Sequence, residues 1–335
     1  MKFLTILILI LTTKLLPLDI KLSKICSKDI LSINSKGLLN GIVFDDDKFY
    51  IPDGDKNCIC VTDLEFNKLA TIGRKGSGPG EFQNLTSIVV DDKNIFGLDY
   101  KKRELSIFDK NSYKYKYSLE TGNDRVFEIF RIGDNIINRS LKIDYKTGLF
   151  GGTVKKIIFA KNRKIEYKEI YSKYSNQKLR NGTSFPFFLS VNSNKAIINL
   201  KSDNNFHFSI IDSSLNILDI KKRYKRKSIT KIDRDLQKRG AFGKNKYKPA
   251  YYEVYNLENS LIAVNISEDR KPSNKDKFLV DLYKFDKYLG RLEFKFMDSI
   301  NEYDSSKNIY FVDKYLIILD KESSIADIYT YEIVE

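Results

Sequence analysis

The chain repeats itself. Ile42, Val43, Asp45, Asp46, Asp53, Val61 and Asp63 recur 46 residues later as Ile88, Val89, Asp91, Asp92, Asp99, Ile107 and Asp109. A period of 40–50 residues built from short strands specifies a β-propeller, because each repeat is one four-stranded blade that buries its faces only against its neighbours. The 335 residues therefore read as one closed ring rather than two domains. At roughly 45–50 residues per blade the length allows about six blades.

Strands are expected near 41–45, 48–52, 58–62 and 66–72 in the first blade. In the second they are expected near 87–91, 94–98, 104–108 and 113–119. Asp53-Gly54-Asp55-Lys56-Asn57 supplies hairpin-turn chemistry between strands. Asp63, Asp109, Asp212 and Asp286 each follow a strand and read as Asx caps of hairpins. A third blade falls over about 125–170, a fourth over 185–222 and a fifth over 252–296. The last segment offers only three strand runs, 308–312, 315–319 and 325–334. A ring must close or leave edges unpaired, so the segment 18–33 is expected to supply the fourth strand, a 3+1 closure. The fold class is all-β: six four-stranded antiparallel blades.

Met1-Lys2-Phe3 precedes an apolar run from Leu4 to Leu11 broken only by Thr5. A basic residue followed by an apolar stretch of this length reads as a secretory leader, and it is too short to span a bilayer. Residues 1–17 are thus a signal peptide or N-terminal anchor, and 18–335 one propeller domain. The expected location is outside the cytoplasm: periplasmic, cell-surface or secreted, with a membrane tether through the N-terminus as a variant of that reading.

Cys26, Cys58 and Cys60 are the only cysteines, an odd number that implies no disulfide framework. Cys58 and Cys60 lie two apart on one strand and share a face. They read as small apolar residues, since His207 is the only histidine and zinc sites usually take four ligands. No metal and no cofactor is expected.

The net charge is +14, and Lys221–Lys248 contains 13 Lys or Arg against 2 Asp, or +11 of it. This stretch, 221–249, is a basic insertion between the fourth and fifth blades, with a short helix expected over Ser228–Gly240. Lys221, Lys222, Arg223, Lys225, Arg226 and Lys227 form a candidate anion-binding rim. A second candidate is Arg74-Lys75-Gly76-Ser77-Gly78-Pro79-Gly80-Glu81-Phe82. Gly76, Gly78 and Gly80 would let backbone N–H groups approach an anion, with Arg74, Lys75 and Glu81 beside them. It is not a P-loop, since no Gly-Lys-Ser/Thr follows and it leads into a strand. The competing reading is a tight blade-to-blade crossover in which Phe82 plugs between blades and Glu81 pairs locally.

This loop, with Ser87-Ile88-Val89-Val90-Asp91-Asp92 and Leu105-Ser106-Ile107-Phe108-Asp109, resembles the six-bladed β-propeller family related to NHL repeats. The resemblance covers about residues 40–120. It implies an exported bacterial propeller or lipoprotein that binds a ligand or partner, in keeping with a monomer. No Gly-x-Ser-x-Gly elbow is present, and Asp45, Asp91, Arg131 and Glu253 on the inner strands form no recognisable constellation. The expected function is non-enzymatic binding of a protein, glycan or other anionic ligand at one channel mouth. The alternative is a channel-site hydrolase or lyase acting on a carbohydrate or ester. An export leader argues against a nucleic-acid partner.

Overall fold

A computed structural model of the chain describes residues 19–29, 41–122, 126–144, 146, 149–160, 164–178, 187–191, 195–200, 206–222, 251–257, 261–266, 277–284, 287–295, 307–320 and 325–334. Among these the strands form six four-stranded antiparallel sheets, the blades of a propeller. Blade 1 is β2 (Val43–Asp45), β3 (Lys48–Asp53), β4 (Cys58–Thr62) and β5 (Lys68–Ile72). Blade 2 is β6 (Leu85–Val90), β7 (Asn94–Asp99), β8 (Glu104–Asp109) and β9 (Tyr115–Glu120). Blade 3 is β10 (Val126–Ile132), β11 (Asn135–Asp144), β12 (Leu149–Phe159) and β13 (Ile165–Lys178). Blade 4 is β14 (Phe187–Val191), β15 (Lys195–Leu200), β16 (Phe206–Asp212) and β17 (Ile217–Lys222). Blade 5 is β18 (Tyr251–Asn256), β19 (Leu261–Ile266), β20 (Lys277–Lys284) and β21 (Lys287–Lys295).

Blade 6 has β22 (Lys307–Val312), β23 (Tyr315–Asp320) and β24 (Ile325–Val334), with β1 (Asp19–Asp29) as its outermost strand. β1 runs antiparallel to β24 from Asp19 opposite Val334 to Asp29 opposite Ile325. The two ends of the chain are thus stitched into one sheet, the expected 3+1 closure.

The repeats bury their faces pairwise. Tyr50, Ile59 and Ile72 of blade 1 pack on Ile88, Val90 and Phe108 of blade 2. Val89, Phe96 and Ile107 of blade 2 pack on Ile129, Ile136 and Ile157 of blade 3, and Phe130 and Ile137 pack on Ile198 and Ile211 of blade 4. Phe49, Ile51 and Cys60 meet Tyr315, Ile317 and Ile328, which closes the ring between blades 6 and 1. The middle strand β4 is wholly buried while the outer strand β5 is mostly exposed, as strands packed on both faces require.

Three strand-end turns share a conformation. Asp63, Asp109 and Asp212 accept backbone N–H bonds from residues two to four ahead. Phe66, Tyr113 and Leu215 then take φ of 61°, 59° and 67°. A bulky residue at positive φ is costly. Here it is held by an N–H bond back to the carbonyl of the same Asp, and its side chain packs into an inter-blade core. The expected Asx caps at Asp63, Asp109 and Asp212 are therefore present, and Asp286 lies outside the described residues. This turn also moves the start of the outer strands from the expected Phe66 and Tyr113 to Lys68 and Tyr115.

Candidate functional site

Antiparallel alternation sorts the connections to two ends of the ring. Turns joining the first to the second and the third to the fourth strand of a blade lie at one end, the hairpin end. Turns joining the second to the third strand, and all blade-to-blade crossovers, lie at the other. Several contacts between blades fall within one end. Lys110, in the β8–β9 turn, pairs with Asp45 and with Asp46 in the β2–β3 turn. Asn135 of blade 3 donates to the Ser213 carbonyl of blade 4 at 2.9 Å. At the opposite end Leu85 N donates to Asn57 Oδ1 at 2.9 Å.

The Gly-rich segment is the crossover from β5 to β6. Phe82 is fully buried between blades 1 and 2, against Phe108 at 5.8 Å between ring centroids. Its ring leaves no space beside two glycines: a Cβ on Gly73 would lie 2.5 Å from Phe82, and one on Gly97 2.6 Å. Gly73 also has φ +73°, a conformation glycine adopts without steric cost.

Two of the three glycine amides named as an anion nest are engaged within the loop. Gly76 N donates to the Phe82 carbonyl at 3.0 Å and Gly78 N to Glu81 Oε2 at 2.9 Å. Arg74 Nε donates to Glu81 Oε1 at 2.6 Å. The Gly78 amide, with Arg74 beside it, holds the Glu81 carboxyl below the usual carboxylate range. Lys102 Nζ reaches back to the carbonyls of Gly78 and Glu81. The nest thus cradles a carboxylate of its own chain. Asp99, fully buried, accepts from Gln83, Asn84, Lys101 and Lys102 N–H and ties the same crossover to the β7–β8 turn. The repeat Asp53/Asp99 was visible in sequence, but this clamping role was not. Of the loop's charged side chains, those of Arg74 and Lys75 are presented outward.

The inner-strand residues singled out in sequence are engaged locally. Asp91 caps its own turn through Lys93 N and Asn94 N. Arg131 bonds the Gly133 and Val90 carbonyls and pairs with Asp92 at 3.1 Å. Glu253 pairs through its backbone with Asn265. Cys58 and Cys60 are buried free thiols, and burial pushes Cys58 up to about 11. His207 lies in β16. Among the described residues no group of His, Cys, Asp and Glu gathers as metal ligands would. Glu128, on β10, carried no sequence signal. Burial pushes its carboxyl up, and Arg139 at 2.9 Å pulls the other way.

The two ends differ in charge. Described connections at the crossover end carry seven Lys or Arg (Lys56, Arg74, Lys75, Lys101, Lys102, Arg103, Lys146) and two acids, net +5. Those at the hairpin end carry five bases and eight acids, net −3. The basic insertion runs from Lys222, at the end of β17, to Tyr251, at the start of β18. It therefore leaves and re-enters at the crossover end. Its residues 223–250, including Arg223, Lys225, Arg226, Lys227 and the expected short helix, lie outside the described residues. So does the leader, residues 1–17.

Residues 36–129 match a family described as a 6-bladed beta-propeller. No curated protein matches the chain. Among solved structures, a protein of Bacteroides fragilis NCTC 9343 described as exported matches with a TM-score of 0.55 and 15% identity, over 95% of this chain and 96% of its own. Kuenenia stuttgartiensis hydrazine synthase matches at 0.43 and 12% identity, over 83% of this chain and 72% of its own. The Bacteroides likeness is one of fold: both chains are β-propellers.

Proposed function

We propose that this β-propeller is an exported binding module that takes its partner at the channel mouth on the crossover end. The observation that carries the reading is the sorting of connections. The described turns at the hairpin end are short, and several are capped by their own Asp. The 12-residue Gly-rich crossover and the 28-residue connection 223–250 both leave from the opposite end. Binding residues concentrate on such loops, held by a rigid scaffold. Within the Gly-rich loop the glycines shape the joint, and Arg74 and Lys75 are the groups offered to a ligand. Lys221, Lys222, Arg223, Lys225, Arg226 and Lys227 extend the rim.

The leader at Met1–Leu11 supports export. The fold shared with an exported Bacteroides protein is in keeping with it. The Gly-Pro-Gly-Glu-Phe crossover supports a kinship with the NHL-repeat propellers.

The test uses immobilised dextran sulfate as a generic polyanion. Replacing Lys221, Lys222, Arg223, Lys225, Arg226 and Lys227 together with Gln is expected to lower the salt needed for elution and to flatten the salt dependence. Unchanged elution would remove this rim from the binding face.

A further inference from the structure

We infer that the crossover face docks an anionic polysaccharide, one carrying carboxylate or sulfate groups along an extended chain. This rests on the crossover-face reading and names the occupant. The first observation is the separation of charge. The described connections place net +5 at one end of the ring and net −3 at the other. Exposed Lys56, Arg74, Lys75, Lys101 and Arg103 come from two successive blades. These positive charges are spread along two adjoining blades rather than gathered in one pocket, which suits a polymer with repeated charges.

The second observation is what the described part of the face lacks. Protein partners are usually anchored by exposed aromatic or aliphatic residues at the centre of the interface. The exposed large apolar side chains Leu69, Tyr115, Ile158, Phe159, Ile217, Leu218 and Val334 all sit on strand ends at the hairpin end. Among those described, Ile325 lies at the crossover end and Ile25 in the middle of β1, nearer that end. Base-stacking platforms serve single-stranded nucleic acid. Tyr100, in the β7–β8 turn, is already stacked on Phe127 at 5.1 Å.

The third observation is orientation. β1 begins at Asp19, opposite Val334, at the hairpin end. A leader retained as an anchor joins the ring on that side. Such an anchor would put the hairpin end, rather than the basic face, toward its membrane.

The experiment compares two triple variants of the full chain with equal loss of charge. Lys75→Gln/Lys101→Gln/Arg103→Gln strips the crossover face, and Lys93→Gln/Lys114→Gln/Lys314→Gln strips the hairpin face. Affinity for polygalacturonate and chondroitin sulfate, with duplex DNA as comparison, is measured against salt. The crossover triple is expected to weaken polysaccharide binding about tenfold or more and to reduce the salt slope by about two to three, close to one per lost cation. The hairpin triple is expected to leave both near wild type.

Equal weakening by both triples would overturn the inference and the crossover reading together. Binding of duplex DNA but of neither polysaccharide, lost in the crossover triple, would overturn only the polysaccharide assignment. In the unmutated chain, bound polygalacturonate should shield Lys75 and Lys101 from amine acetylation but not Lys93 and Lys114. The reverse pattern would also overturn the proposal.

Discussion

At the scale of single residues, the crossover between blades 1 and 2 is governed by Phe82 and Glu81. Phe82 fills a gap shaped by two glycines, so Phe82→Ala should cost about 3–5 kcal/mol in chemical denaturation. Gly73→Ala meets both a positive φ and a Cβ 2.5 Å from the Phe82 ring, and a cost of about 1–3 kcal/mol is expected. Glu81 gives a pH signature. Its carboxyl is held low by the Gly78 amide and by Arg74. Its contribution is therefore present above the ordinary carboxylate range and lost as pH falls through the lowered value. Glu81→Gln should lower the melting temperature at pH 7, and the difference from wild type should shrink towards pH 3. A difference that stays constant with pH would mean that Glu81 acts through shape alone. The plug and the local ion pair were legible because Gly-Pro-Gly-Glu-Phe leaves few other packings. What occupies the nest was not legible: a sequence shows three glycines and a carboxylate but not that one closes on the other.

At the scale of elements, neighbouring blades are latched at the hairpin end. Lys110 is nearly buried, yet Asp45 and Asp46 keep it charged by outweighing the penalty of burial. Lys110→Met removes a cation that two carboxylates face, and about 2 kcal/mol of stability should be lost. That is less than for a fully buried pair, because Asp46 is largely exposed. The Asp-capped turns were foreseen at Asp63, Asp109 and Asp212. The left-handed Phe66, Tyr113 and Leu215 that follow them were not, since propensity places bulky residues in the strand and only inter-blade packing reverses that preference. The closing strand was legible from arithmetic, three runs where four are needed. Deleting residues 18–33 should leave β24 with an unpaired edge and Cys26 absent from the blade 1–blade 6 contact. The protein should then fail to give a cooperative melt. A normal melt would show that the ring does not depend on β1.

At the scale of the whole molecule, the repeat in residues 40–120 was enough to state the architecture, because a blade cannot exist without neighbours. The polarity of the ring was only half visible. The basic run at Lys221–Lys227 stood out in sequence. Lys101 and Arg103 did not, because nothing local says that a β7–β8 turn shares an end with the crossover loops. That follows from the sheet order alone. The most direct measurement is amide hydrogen exchange of the full chain with and without polygalacturonate, read by mass spectrometry. A binding face at the crossover end predicts slowed exchange in segments 54–57, 73–84 and 100–103, with 46–47, 63–67 and 91–93 unchanged. Protection confined to the hairpin-end turns, or shared equally by both ends, would contradict it.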